Sequence, residues 1–114
     1  MTWQTENDFD QETTCILEIT EHFLTEYFGH DPRTSSDMIT NYFRKFKIPN
    51  VEQAVVHALS WGMAKRIHFT IGLGRNPGEI TIWEVENDLR KTPPEALEYL
   101  RIHYWDKHPM FDQN

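Results

Sequence analysis

Residues 35–69, SSDMITNYFRKFKIPNVEQAVVHALSWGMAKRIHF, decide how the chain is read. Met38, Ile39, Tyr42, Phe43 and Phe46 recur on one helical face, while Thr40, Arg44 and Lys47 fall on the other, which predicts a helix over 36–47. Thr34 or Ser35 is placed to cap it, and Asp37 suits the positive end of the helix dipole. Ile48-Pro49-Asn50 then breaks the pattern. Asn50 reads as the N-cap of a further helix over 51–65, with Gln53 spaced for a reciprocal cap. Its expected buried stripe is Val51, Val55, Ala58, Leu59 and Gly62, and its outward face Gln53, Val56, His57, Ser60 and Ala64. At Arg66 the period changes from helical to alternating. Ile67, Phe69, Ile71 and Leu73 face one way and His68, Thr70 and Gly72 the other, which predicts a strand. Gly74-Arg75-Asn76-Pro77-Gly78 reads as a turn, and 79–85 as a second strand with Ile80 and Ile82 inward, closing a hairpin.

On the N-terminal side, Ile16, Ile19, Phe23 and Tyr27, widened by Leu17, Leu24 and Phe28, predict an amphipathic helix over 13–28 that stops at Gly29. Glu18, Glu21, His22 and Glu26 fall on its other side. Residues 1–11 are polar and acidic, and a flexible segment is expected there, with Trp3 or Phe9 docked. On the C-terminal side, Thr92 and Glu95 have capping-box spacing and Pro93 suits a first helical position. Ala96, Leu97, Leu100 and Tyr104 make the apolar face of that last helix, and Pro109 closes it. The expected organisation is one domain over 12–114.

A length of 114 residues fits a single domain, and an aromatic content of 13% offers enough bulky apolar surface for a compact core. Cys15 is the only cysteine, so no disulfide or thiolate metal cage can form within the chain, which suits a reducing compartment. The first residues lack the basic and apolar regions of a signal peptide, and no apolar run approaches the ~20 residues of a membrane span. These features predict a cytoplasmic protein, nuclear in a eukaryote, with no membrane association. The net charge is −7, unevenly spread. Residues 1–32 hold eight acids and no Lys or Arg, residues 33–76 seven bases against Asp37 and Glu52, and residues 77–114 eight acids against four bases. A basic middle between acidic flanks can mark a binding face, and it can equally be a chance segregation of solvated charge.

The order helix, helix, turn, helix, hairpin, helix, centred on residues 36–85, resembles a winged helix-turn-helix. The resemblance is one of element order and covers about fifty of the 114 residues. It implies an α+β fold with a β-hairpin wing and a C-terminal helix, and double-stranded DNA as the usual partner. Helix 51–65 would enter the major groove and the hairpin would touch the backbone. Arg33, Arg44, Lys45, Lys47, Lys65, Arg66 and Arg75 are then candidate phosphate contacts, and Gln53 and His57 candidate base contacts. The set favoured for nucleic-acid contact is Arg44, Lys47, Gln53, His57, Lys65, Arg66 and Arg75. The outward face of helix 51–65 carries no Arg or Lys, so the commonest specific contact, arginine to guanine, is absent. An apolar, nearly neutral face suits protein contact at least as well.

No enzyme chemistry is expected. The six histidines show no metal-ligand spacing on one helix, His30 reads as a turn residue, and Cys15 as a packed thiol flanked by Glu12 and Glu18. The glycine-rich stretch 72–78 lacks the Lys-Ser/Thr of a phosphate loop. Glu84, Glu86 and Asp88 form an acidic run best read as solvated surface. No cofactor or metal is implied. Two readings stay open: a small DNA-binding regulator, or an acidic adaptor, antagonist or immunity-type protein that occludes a protein partner. The exposed aromatics expected at Tyr99, Trp105 and Phe111 motivate the second. A homodimer is also expected, through a seam of Ile16, Phe23, Leu97, Leu100 and Tyr104.

Overall fold

A computed structural model describes residues 3, 8–48 and 50–106. From Gln11 onward, five helices follow one another among these residues: α1 (Gln11–Phe28), α2 (Pro32–Lys45), α3 (Val51–Ile67), α4 (Ile80–Glu86) and α5 (Pro94–Leu100). Helix α3 runs on into a π-helical turn, His68–Gly72, and α5 into another, Arg101–Trp105. Among the described residues there is no strand. The architecture is all-α, and the expected α+β winged helix with its hairpin wing is overturned.

The hairpin fails for identifiable reasons. Nothing between Lys65 and Gly72 interrupts a helix already nucleated upstream, so each added residue gains a backbone bond without a new nucleation cost. The Thr70 hydroxyl donates to the Arg66 carbonyl at 2.7 Å, a helical back-bond. Phe69 and Thr70 are both buried although they are neighbours, whereas a strand would send them to opposite faces. In the supposed turn, Asn76 acts as an N-cap. Its side chain accepts from the Gly78 amide at 2.9 Å, and Pro77 opens a short 3-10 turn that leads into α4.

The other caps are also shifted. Asp10 caps α1, accepting from the Thr13 amide at 2.8 Å, and Gly29 ends that helix in the left-handed region at φ 75°. Asp31 caps α2, with Pro32 at its first position, in place of Thr34 or Ser35. Asn50 adopts φ 54° and makes no side-chain cap bond, so the expected reciprocal cap with Gln53 is absent. Helix α5 likewise starts after Pro93 with no side-chain cap. The expected stop at Pro109 lies outside the described residues, as do residues 1, 2 and 4–7 of the N-terminal segment. Trp3 is fully buried, and Phe9 packs against Phe43 with ring centroids 5.7 Å apart.

Helix α1 is the central element. It packs most extensively on α3 and next on α2. Its inward residues Ile16, Leu17, Ile19, Phe23 and Leu24 are buried as their spacing predicts. Full burial of each such side chain contributes about 1.5–3 kcal/mol relative to exposure. Ile39, Val55, Trp61, Ala64, Ile67, Leu100 and Tyr104 extend the core. Ile16, Phe23, Leu100 and Tyr104 of the expected dimer seam are thus used within the monomer, and only Leu97 of that set stays exposed.

Helix α3 is interrupted at Leu59, whose φ of 60° and ψ of 179° belong to no helix. The break rotates everything after it. Ser60 and Ala64, expected outward, are fully buried, and the Ser60 hydroxyl donates to the Ile16 carbonyl at 2.8 Å. Trp61 sits among Phe23, Tyr27 and Phe28 with ring centroids 5.5 to 5.9 Å away. Its indole N–H donates to the Leu89 carbonyl at 3.2 Å, which ties the stretch after α4 back to the core.

Candidate functional site

The aromatic face of α2 is wider than α1 can cover. Tyr42, Phe43 and Phe46 project past it toward the second half of α3 and the start of α4. With Ile48, Val55, Met63, Pro77 and Ile80 they wall a pocket of about 450 Å³. That volume falls within the range of small-ligand and anchor-residue sites. Among the described residues, Arg66 is the only charged one in the lining. Burial raises the Tyr42 phenol above its ordinary pKa, and the neighbouring Arg66, by charge and hydrogen bond, partly offsets that. The pocket is therefore apolar, with a single guanidinium at its wall.

The seven expected nucleic-acid contacts are dispersed and partly engaged. Arg44 and Lys47 are exposed at and just beyond the end of α2, where Arg44 also complements the helix dipole. Gln53 and His57 are exposed on the first half of α3 and share a shallow depression with Asp10, Asn50 and Glu52. There the Asp10 amide donates to the Glu52 carboxylate at 2.7 Å. Lys65 is buried and its ammonium meets the Glu84 carboxylate at 2.5 Å. His57, Lys65 and Arg66 do come together around a recess of about 200 Å³, but Glu84 sits in its lining. Arg75 lies 5.3 Å from the Phe69 ring centre and 3.8 Å from Glu79. Glu84, read from sequence as solvated surface, is instead the ion-pair partner that pins α4 to α3.

A second cluster was not anticipated. His30 and His68 are hydrogen-bonded, Nε2 to Nδ1, at 2.8 Å. The His68 ring stacks on Phe28 with centroids 4.6 Å apart and lies 6.0 Å from Trp83. Burial, and then the neighbouring His30, push the His68 imidazole down to about 4. The two histidines are separated by thirty-eight positions, and no local spacing could have joined them. Elsewhere, Tyr99 is sandwiched between His22 and His103 with ring centroids 3.9 and 4.0 Å away, so His22 is not a solvated residue either. The Cys15 thiol points at the His103 carbonyl, 3.6 Å away, in keeping with a packed thiol. Among the described residues, no group of three His, Cys, Asp or Glu side chains is arranged to hold a metal ion. No helix among them is long and apolar enough to cross a membrane.

No family model and no solved structure matches the chain. Over 96 residues the chain is 24% identical to a component of the aspartyl/glutamyl-tRNA(Asn/Gln) amidotransferase of Lachnoclostridium phytofermentans, the second of its lettered subunits. The match takes in 82% of this chain and 20% of that protein, so the chain spans about a fifth of the relative's length.

Proposed function

We propose that the protein is an acidic interaction module that acts by docking onto another protein. The pocket between α2, α3 and the start of α4 receives a bulky apolar side chain of the partner, and Arg66 receives a carboxylate beside it. The observation that carries this reading is the pocket itself: about 450 Å³ of aromatic and aliphatic wall with one guanidinium. Interfaces concentrate their binding energy in such places, where a large side chain is desolvated against well-packed walls. Duplex DNA offers little to fill it, because phosphates and polar base edges dominate its surface. The engagement of Lys65 by Glu84 and of Arg75 by Glu79 and Phe69 further weakens a phosphate-reading role. The distant relative is by its name one component of a multi-subunit enzyme, which is in keeping with a stretch of chain that works in contact with other protein.

Panning a random peptide library on the immobilised chain tests this. Sequences that place Phe, Leu, Ile or Trp next to Asp or Glu are expected to enrich. Arg66→Glu should move the selected charge from acidic to basic while leaving the apolar position unchanged. No enrichment, or enrichment indifferent to Arg66→Glu, would sink the reading. Salt-sensitive retention of duplex DNA that depends on Arg44, Lys47 and Arg66 would put nucleic acid in its place.

A further inference from the structure

We propose that His30, Met38 and His68 form a binding site for a soft monovalent metal ion, copper(I) in character, beside the backbone of Gly72. The three residues come from three places. His30 follows the left-handed Gly29 that ends α1, Met38 lies on α2, and His68 opens the π-helical turn after α3. They converge on one small volume. A Cβ placed on Gly72 would lie 3.1 Å from His68 Nδ1, 3.5 Å from His30 Nε2 and 3.1 Å from the Met38 methyl carbon. The methyl rather than the sulfur faces that point, so ligation requires the Met38 side chain to change rotamer and bring its sulfur forward. A side chain at this position would press on Met38 and His68, and Gly72 is itself exposed, so an ion has a route in.

The donor chemistry selects the metal. Two imidazoles and a thioether, with no carboxylate, make a neutral and soft set. Hard divalent ions require oxygen ligands, and structural zinc requires four donors of the thiolate and imidazole kind. A monovalent soft ion places the least charge in a site where, among the described residues, no Asp, Glu or Cys joins the two histidines in a metal-binding group. The π-turn has a structural part in this. Its wider ring, with the Leu73 amide donating to the His68 carbonyl at 2.8 Å, holds His68 and Gly72 on the same side of the turn.

Metal binding balances without releasing a proton. In the metal-free chain one ring donates its N–H to the facing nitrogen of the other. On binding, that proton moves to the remote nitrogen of the same ring, and both facing lone pairs go to the metal. With metal–nitrogen bonds of about 2.0 Å, the 2.8 Å separation would enclose an angle of about 90°, so the rings must part slightly toward trigonal geometry. The Phe28 stack, with ring centroids 4.6 Å apart, fixes the plane of the His68 ring.

The test uses the full chain carrying Cys15→Ser, which removes the one competing thiol. Copper(I), kept reduced with ascorbate, is titrated against bathocuproine disulfonate, with silver(I) as a redox-silent second probe. A single equivalent should leave the chelator, shift the imidazole proton resonances of His30 and His68, and quench the fluorescence of Trp83, 6.0 Å from His68. Met38→Leu keeps the packing volume and should weaken copper(I) at least ten-fold. Gly72→Ala should weaken it by filling the space, and His30→Gln with His68→Gln should abolish it, all in chains whose amide spectra show the native fold. Failure to compete with the chelator overturns the proposal. So does an equivalent that survives the double histidine variant, or a Met38→Leu chain that binds as tightly as its parent.

Discussion

The two halves of α3 belong to one run of helix and have opposite characters. Before Leu59, Val55 alone is buried, while Glu52, Gln53 and His57 face solvent. After it, Ser60, Trp61, Met63, Ala64, Lys65 and Ile67 are all buried. A straight helix would keep one inward stripe throughout. The non-helical Leu59 removes that continuity, at a backbone cost on the order of 1–3 kcal/mol, and swings the second half into the angle between α1 and α4. There it collects the ring of Phe23, Tyr27 and Phe28 around Trp61 and the Lys65–Glu84 pair. The first half lies at the edge of the core, anchored by Val55, and the second lies within it.

Substitutions should expose that asymmetry. Trp61→Ala removes the largest side chain of the second half together with its bond to the Leu89 carbonyl. It should cost about 3–5 kcal/mol in a urea melt, as for other large core truncations. A cost under about 1 kcal/mol would mean that the second half is not core. Acid should act next, through the His68 end of the same half. Burial holds the folded His68 at about 4 against an ordinary 6.5, so the folded chain prefers the neutral ring. This contribution is fully present above pH 6.5 and is lost as pH falls toward 4, because the unfolded chain takes up its proton first. Urea midpoints of the native chain should decline across that window, and His68→Phe should remove part of the decline. Equal slopes in the two chains would show that His68 is not held neutral. The smallest effects belong to the first half: Gln53→Ala and His57→Ala should each change stability by less than about 0.5 kcal/mol. A larger loss would place that face against something in the monomer.

Helices α1 and α2 were legible in the sequence. Ile16, Leu17, Phe23 and Leu24 repeat in one phase, as do Met38, Ile39 and Tyr42, and each set is buried against its neighbours. Legibility falters at Leu59, because a period read across an undetected break sends later residues such as Ser60 and Ala64 to the wrong face. The strand expected at Ile67 failed differently. Alternation of Ile, Phe, Ile and Leu is equally available to a helix that is apolar on most of its surface, and the preceding helix supplied the nucleus. One cue to the true outcome was present: Asn76-Pro77 is a helix-start pair as well as a turn pair. Of the seven expected contact residues, Arg66 belongs to the pocket proposed as the binding site, and Gln53 and His57 lie on an exposed face as their spacing implied.

The sequence by itself determined what local chemistry controls: one chain with a single thiol, an amphipathic α1 that stops at Gly29, an aromatic stripe on α2, and acidic flanks around a basic middle. These follow from side-chain spacing and from backbone preferences that act over a few residues. Only the tertiary structure decided which bases meet acids, that Lys65 is held by Glu84, that the α2 aromatics wall a pocket with Arg66, and that His30 meets His68 beside Gly72. Each of these joins residues from separate elements, and the angle between those elements is set by the whole core packing at once.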